Sequence, residues 1–322
     1  LQTPGLGVCE ITALSSNNPA FLVPTHRRFV WVGDSMISIM KHPARARSQT
    51  RAAFALVGAF VVMAITVGAA GEQQGSGQPD APRLNQPGKD VQWVPTPPAL
   101  VEKMLDLAKV TPKDRLVDLG SGDGVLVIAA AKRGLRARGI EYDRGLVEYS
   151  KRKAAEAGVS KRTRFVRGDI FKTDFSEASV VTTFLLPSMN LRLRPTFLAM
   201  KPGTRIVANT FAIADWQPDE TATVEPCERW CTALLWIVPA RVGGAWRTPK
   251  GDLSLTQKFQ VVSGMLGKEP IEHGRLRGEE ISFTVGETMY DGRVEENRMQ
   301  VRATVDGQLV EWTAVALPTL PR

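Results

Sequence analysis

The chain has 322 residues, 43% of them hydrophobic and 23% charged, and a formal net charge of +8. That length and texture suit one large globular domain with a smaller one beside it, and exclude a chain too polar to bury a core. The three cysteines and three histidines form no metal-ligand spacing, so no metal centre is expected.

Residues 1–51 are an unassigned, basic N-terminal region; residues 1–39 show no clean period, and Met36 or Met40 is the expected start. Lys41, Arg45, Arg47 and Arg51 precede Ala52–Ala70, nineteen residues without a charge. A basic stretch, an apolar run and the small residues Gly68-Ala69-Ala70 predict a signal peptide, and the length also permits a membrane anchor. Residues 71–89, rich in Gly and Gln, read as a linker. Positive-inside logic places the chain after Ala70 outside the cytoplasm, exported or anchored in a bacterial envelope, with the sidedness open.

Residues 90–240 alternate between strand and helix patterns. Thr96-Pro97-Pro98 opens a helix over Ala99–Ala108, with Leu100, Met104, Leu105 and Ala108 on one face. Strand Leu116–Leu119, helix Val125–Arg133, strand Ala137–Glu141 and helix Gly145–Ala157 follow. Next come strands Thr163–Arg167 and Ser179–Leu186, helix Asn190–Met200, which Pro195 should bend or delay, and strand Thr204–Phe211. This alternation predicts a Rossmann-like α/β fold, with a parallel sheet and helices on both faces. Leu234–Val238 is apolar enough to be an antiparallel strand closing that sheet.

From residue 241 to 322 the texture changes to short alternating segments punctuated by Gly. They are Val242–Arg247, Leu253–Val261, Ile271–Arg277, Ile281–Val285, Thr288–Val294, Met299–Val305 and Leu309–Ala314. Turn signals every eight to twelve residues predict an antiparallel β appendage, a meander or small barrel. Asp291-Gly292 and Asp306-Gly307 suit its hairpin turns. Cys227 and Cys231 would lie about 13 Å apart in one strand, too far for a disulfide. If Glu228–Trp230 is a turn, they face each other across a hairpin.

The chemistry concentrates at Asp118-Leu119-Gly120-Ser121-Gly122-Asp123-Gly124. A strand ends in an acid, a glycine loop allows close approach of a ligand, and a helix follows. Dinucleotide fingerprints read G-x-G-x-x-G and hold a pyrophosphate. Here the spacing is G-x-G-x-G, and the carboxylates of Asp118 and Asp123 would repel a pyrophosphate. They suit the sulfonium and ammonium of S-adenosylmethionine. Glu141, 23 residues after Asp118, is placed for the ribose hydroxyls, with Tyr142 beside it. Asp169 and Ile170, after the next strand, can frame the adenine.

Asp118–Gly124, Glu141 and Gly168-Asp169 resemble the first three motifs of class I S-adenosylmethionine-dependent methyltransferases. Trp93–Phe211 more narrowly resembles the lysine methyltransferase family whose mitochondrial members modify the ATP synthase c-subunit and the adenine nucleotide translocase. The matching residues are Trp93-Val94-Pro95-Thr96-Pro97, the glycine loop, and Phe184-Leu185-Leu186-Pro187. The resemblance implies S-adenosylmethionine as cofactor, Thr96 and Trp93 over it, and a protein lysine as acceptor; a small-molecule acceptor and a non-catalytic exported binding protein are the alternatives. An export signal sits uneasily with a cofactor made in the cytoplasm.

Methyl transfer is an in-line displacement that needs alignment and exclusion of water rather than a protein nucleophile. The lip after the fourth strand, Phe184–Asn190, should border the transferred methyl. Leu185, Pro187 and Asn190 are therefore the candidates at the reacting centre. Carbonyls of Leu185 and Leu186, with the Asn190 amide, can orient an amine; Asn190 can equally be a helix N-cap. Trp93 and Trp216 each read either as site-lining or as core aromatics. The lip lacks the Asn/Asp-Pro-Pro-Tyr/Phe motif of nucleobase amino-methyltransferases. Nucleic acid is therefore an unfavoured partner, although Lys132–Lys172 holds thirteen basic residues against five acidic ones. Membrane association follows from the apolar segment alone.

Overall fold

The computed structural model describes residues 82–318, all within one compact unit, Glu72–Arg322. The basic region, the apolar segment 52–70 and most of the linker lie outside the described residues.

The first half builds α1 (Pro98–Leu107), β1 (Arg115–Leu119), α2 (Val125–Lys132), β2 (Arg136–Glu141), α3 (Arg144–Glu156), β3 (Thr163–Arg167), β4 (Val180–Thr183), α4 (Pro187–Ala199), β5 (Arg205–Asn209), β6 (Glu220–Thr223) and β7 (Thr232–Ile237). The strands form a seven-stranded sheet in the order β3-β2-β1-β4-β5-β7-β6. Strands β1 to β5 pair in parallel, and β7 runs antiparallel between β5 and β6. Every residue of β1 after Arg115 is buried, as a strand covered on both faces requires. Leu116 packs with Leu100, Leu126 and Val147 of α1, α2 and α3. Val117 and Leu119 pack with Leu193 and Phe197 of α4 on the other face.

Three local expectations change. Strand β4 stops at Thr183, so Phe184–Leu186 leave the sheet. Helix α4 starts at Pro187, three residues before the expected Asn190, with proline in its first turn where no N–H is needed, and it runs through Pro195 without delay. Strand β6 was invisible because Glu-Thr-Ala-Thr is short, polar and at a sheet edge. Cys227 and Cys231 form a disulfide that closes the loop between β6 and β7, with Cα atoms 5.8 Å apart, so the hairpin geometry holds there.

The second half forms β8 (Gly244–Thr248), β9 (Gly251–Lys258), β10 (Val261–Leu266), β11 (Glu269–Arg277), β12 (Glu280–Val285), β13 (Thr288–Glu295), β14 (Arg298–Val305) and β15 (Gln308–Ala316). These eight strands close into an antiparallel barrel, β15 returning to β8 and β9 to β10. Alternate residues point inward: in β14, Met299, Val301 and Ala303 are buried between exposed neighbours. Phe283 stacks on Tyr290 and Tyr290 meets Trp312 edge-on, filling the interior with rings. The expected segment Leu253–Val261 divides into β9 and β10 at Phe259-Gln260, where Phe259 takes φ 55 without a glycine to mark the turn. Asp291-Gly292 is not a turn but the middle of β13, opposite Ser282-Ile281. Asp306-Gly307 does turn, with φ 49 and 76.

The barrel is joined to the sheet through polar and aromatic contacts. The fully buried Trp216 donates from Nε1 to Gln260 Oε1 at 2.8 Å, and Phe259 stacks on it at 5.7 Å. Arg275 pairs with Asp219 at 2.7 Å, and Arg277 pairs with Glu220. Trp216 is therefore a core residue and does not line an acceptor channel.

Candidate active site

The parallel strands end at one edge of the sheet, where the loops that follow them enclose a cavity. Its floor is the glycine loop after β1. Gly120, Gly122 and Gly124 all have positive φ, at 75, 51 and 79. At Gly122 a Cβ would come within 2.4 Å of Trp93 Nε1, so Trp93 covers the loop only because that side chain is missing. Gly124 stands behind the cavity as the N-cap of α2, not on its wall.

Three carboxylates converge here. Asp118 is 4% exposed and accepts a hydrogen bond from Thr182 Oγ1 at 2.7 Å. Burial, reinforced by the charges of Asp123 and Glu141, pushes its carboxyl up to about 7, although the Thr182 bond pulls the other way. Burial also raises Asp123. Glu141, at the end of β2, accepts from Gly122 N and Asp143 N, both at 2.9 Å, which ties the loop to the strand. Asp143 in turn caps α3 by accepting from Leu146 N at 2.8 Å. Ser121, at the cavity wall, has a buried Oγ with no hydrogen-bond partner.

Asp169 and Ile170 close one side. Lys89 binds Asp169 at 2.9 Å and holds its carboxyl below the usual range. The Lys89 ammonium also lies 5.0 Å from the centroid of the Tyr142 ring, which is 46% exposed. Residues 86–96 form the strap over the cavity, so Gln86–Lys89, at the end of the expected linker, belong to its wall. Thr96 lines it and is buried, with Asn209 Nδ2 at 3.4 Å from its Oγ1.

Of the lip residues, Leu185 lines the cavity together with Phe184 and Met189. Pro187 does not; it is exposed and starts α4. Asn190 is also off the wall. It is neither an N-cap nor pointed at the cavity: it sits in the first turn of α4, fully buried, and donates from Nδ2 to Phe211 O at 3.0 Å. Sequence reasoning missed Lys89, which sits in a featureless polar stretch. It missed Thr182 because that residue matters only once β4 lies beside β1 and faces Asp118. It missed Gly139 too, where a Cβ would strike Ser121 Oγ at 2.4 Å.

These groups fit S-adenosylmethionine. Carboxylates that burial leaves reluctant to ionise gain from a cation, and the ligand brings a sulfonium and an ammonium. The unpartnered Ser121 hydroxyl and the bare glycine loop leave room and polarity for its amino-acid and ribose parts. Asp118 and Asp123 would meet the cationic end, Glu141 the ribose, and Asp169 with Ile170 the adenine side.

Comparison with known proteins agrees with this chemistry. Residues 118–220 match the model of the ANTKMT methyltransferase domain. The chain is 39% identical over 151 residues to a protein-lysine N-methyltransferase of Saccharolobus islandicus, covering 46% of this chain and 94% of that protein. It is 42% identical to the mouse lysine N-methyltransferase of the ATP synthase c-subunit, over 33% of this chain and 43% of that one. It is 38% identical to the mouse adenine nucleotide translocase lysine N-methyltransferase, over 37% and 52%. The chain thus spans about half the length of the two mouse relatives. Among solved structures it is similar to an RNA methyltransferase from Salinibacter ruber in complex with S-adenosyl-L-homocysteine. That match is 45% identical over 46% of this chain and 96% of the other, with a TM-score of 0.44. The barrel strands lie outside the residues that the family model matches.

Proposed function

We propose a protein lysine as the methyl acceptor of this chain, which belongs to the S-adenosylmethionine-dependent protein-lysine methyltransferase family. The observation that carries the site is the convergence of Asp118, Asp123 and Glu141 on one cavity that Phe184, Leu185 and Met189 border with an apolar wall. S-adenosylmethionine, when bound, supplies a methyl group already activated by its sulfonium.

The residues around it bind, orient and dry the site. Asp118 and Asp123 hold the cationic end, and Glu141 fixes the ribose while keeping the loop in register through Gly122. Trp93 and the strap of residues 86–96 cover the cavity and exclude water. The lysine can enter as an ammonium but must have lost its proton by the moment of transfer. Leu185 and Met189 give the reacting end an apolar wall, and such surroundings lower an amine's pKa. Lysine identity is supported by the names of the archaeal and mouse relatives.

The test uses methyl-labelled S-adenosylmethionine and a library of peptides carrying lysine at one place. Label recovered as methyl-lysine after hydrolysis supports the reading. Label found only on small molecules, or none from a protein that binds the cofactor, overturns it.

The compartment is a second proposal. The apolar segment 52–70 supports export or anchoring, and the Cys227–Cys231 bond suits an oxidising compartment. Among the described residues no helix is long and apolar enough to cross a membrane. Protease treatment of cells with the outer envelope opened and the cytoplasmic membrane intact tests this: digestion of residues 82–318 supports export, and full protection beside a digested envelope control contradicts it.

A further inference from the structure

We propose that Phe184, Phe211 and Trp230 form the subsite that receives the acceptor's side chain, an aromatic wall for an alkylammonium group beside the cofactor cavity. The proposal rests on the lysine reading above and assigns the acceptor a place.

The three rings come from separate parts of the chain. Phe184 follows β4, Phe211 follows β5, and Trp230 precedes β7. Because β7 is antiparallel, with Ala233 opposite Asn209, its start lies at the same sheet edge as the ends of β4 and β5. The rings meet there. Phe184 stacks on Phe211 at 6.1 Å, Trp230 meets Phe184 edge-on at 5.5 Å, and Phe211 lies 5.3 Å from Trp230. Phe184 also lines the cofactor cavity, so the cluster is continuous with the place where the methyl would be presented. None of the three is buried. Partly exposed rings held together beside an acidic cavity offer an apolar slot for a methylene stem and π-faces for its cationic head.

The cluster is held from behind. Asn190, fully buried, donates to the Phe211 carbonyl at 3.0 Å. Thr210 N donates to Thr232 O at 2.7 Å, pinning the Phe211 loop to the start of β7. Trp230, at φ 60, sits inside the loop that the Cys227–Cys231 disulfide closes. Asn190, Cys227 and Cys231 are therefore positioning residues for the rings. Opening the disulfide frees the segment that carries Trp230, which makes acceptor binding sensitive to thiols while the cofactor site, on the other side of Phe184, is not.

The experiment is calorimetry on the full chain saturated with S-adenosylhomocysteine. The probes are Nα-acetyl-Nε-trimethyl-lysine methylamide and its neutral isostere, with carbon in place of the onium nitrogen. The trimethylammonium probe is expected to bind several-fold more tightly than the isostere. Trp230→Ala or Phe211→Ala should weaken it at least roughly fivefold, as loss of one cation–π contact implies, and Trp230→Phe should retain most of it. The Cys227→Ser/Cys231→Ser pair should also weaken the probe. In every variant S-adenosylhomocysteine affinity should stay within about twofold of the parent, since these side chains are off the cofactor wall. Equal binding of the two probes, no saturable binding of either, or full binding by Trp230→Ala and Phe211→Ala would overturn the proposal. Failure of the parent to bind S-adenosylhomocysteine at all would instead overturn the cofactor site itself.

Discussion

At the scale of single residues the account rests on Asp118. Its carboxyl titrates near 7 in the folded protein against 3.8 for an ordinary aspartate, chiefly because burial disfavours its charge. A raised acid keeps its proton in the folded state and loses it in the unfolded one. The ligand-free protein should therefore lose stability as pH rises from about 4 to about 7, by a few kcal/mol at most. Asp118→Asn, which preserves the acceptor for Thr182, should flatten that slope in thermal melts; an unchanged slope contradicts the assignment. Gly122 makes a second residue-scale prediction. Gly122→Ala must hold φ 51 and place its Cβ 2.4 Å from Trp93 Nε1. A left-handed alanine costs about 1 kcal/mol before the ring moves, so cofactor affinity should fall roughly tenfold or more as Trp93 is pushed off the loop; unchanged affinity would show that Trp93 does not cover the ligand. Most of these residues were legible as sequence because a glycine loop between acids has few other uses. Asn190 was misjudged because its role depends on where α4 begins. Pro187 looked like part of a motif, and it is the first residue of a helix.

Among the elements, the alternation of strands and helices was readable from β1 to β5, since buried parallel strands are continuous apolar runs. What stayed hidden has physical reasons. Strand β6 is polar because only its partner β7 lies beside it in the sheet. The turn between β9 and β10 is made by Phe259 with a positive φ, so no glycine or proline marked it. In β13 the pair Asp291-Gly292 imitates a turn, yet Gly292 is there because a Cβ would meet Gln300 O at 2.5 Å across the ladder. The barrel offers a sharp test at Gly264. There a Cβ would lie 1.8 Å from Ser254 O in the neighbouring strand, where the backbone cannot give way easily. Gly264→Ala should separate β9 from β10 locally and cost on the order of 2–3 kcal/mol. Hydrogen exchange at Leu255 and Met265 would report it; full protection with an unchanged melt would refute it.

For the whole molecule the question is how sheet and barrel are coupled. Trp216, Gln260 and Phe259 form the buried contact between them, and the Arg275–Asp219 and Arg277–Glu220 pairs add to it. Trp216→Ala should cost about 3–5 kcal/mol and leave its neighbours Trp236 and Phe259 with a void. It should also turn one melting transition into two, whereas a single unshifted transition would contradict the coupling. Core burial was the safer reading of Trp216 in the sequence and it holds; its partners were hidden because the barrel that buries it begins about thirty residues later.

The central claim is that the acidic cavity binds a cationic cofactor through Asp118. Calorimetric titration of S-adenosylmethionine into the parent and Asp118→Asn, at about pH 5.5 and about pH 7.5, tests it most directly. The parent should bind more tightly at the higher pH, where Asp118 ionises, and the variant should bind more weakly than the parent at that pH and show a smaller pH dependence, the raised Asp123 still titrating. Equal affinities in the two proteins at both pH values would contradict it.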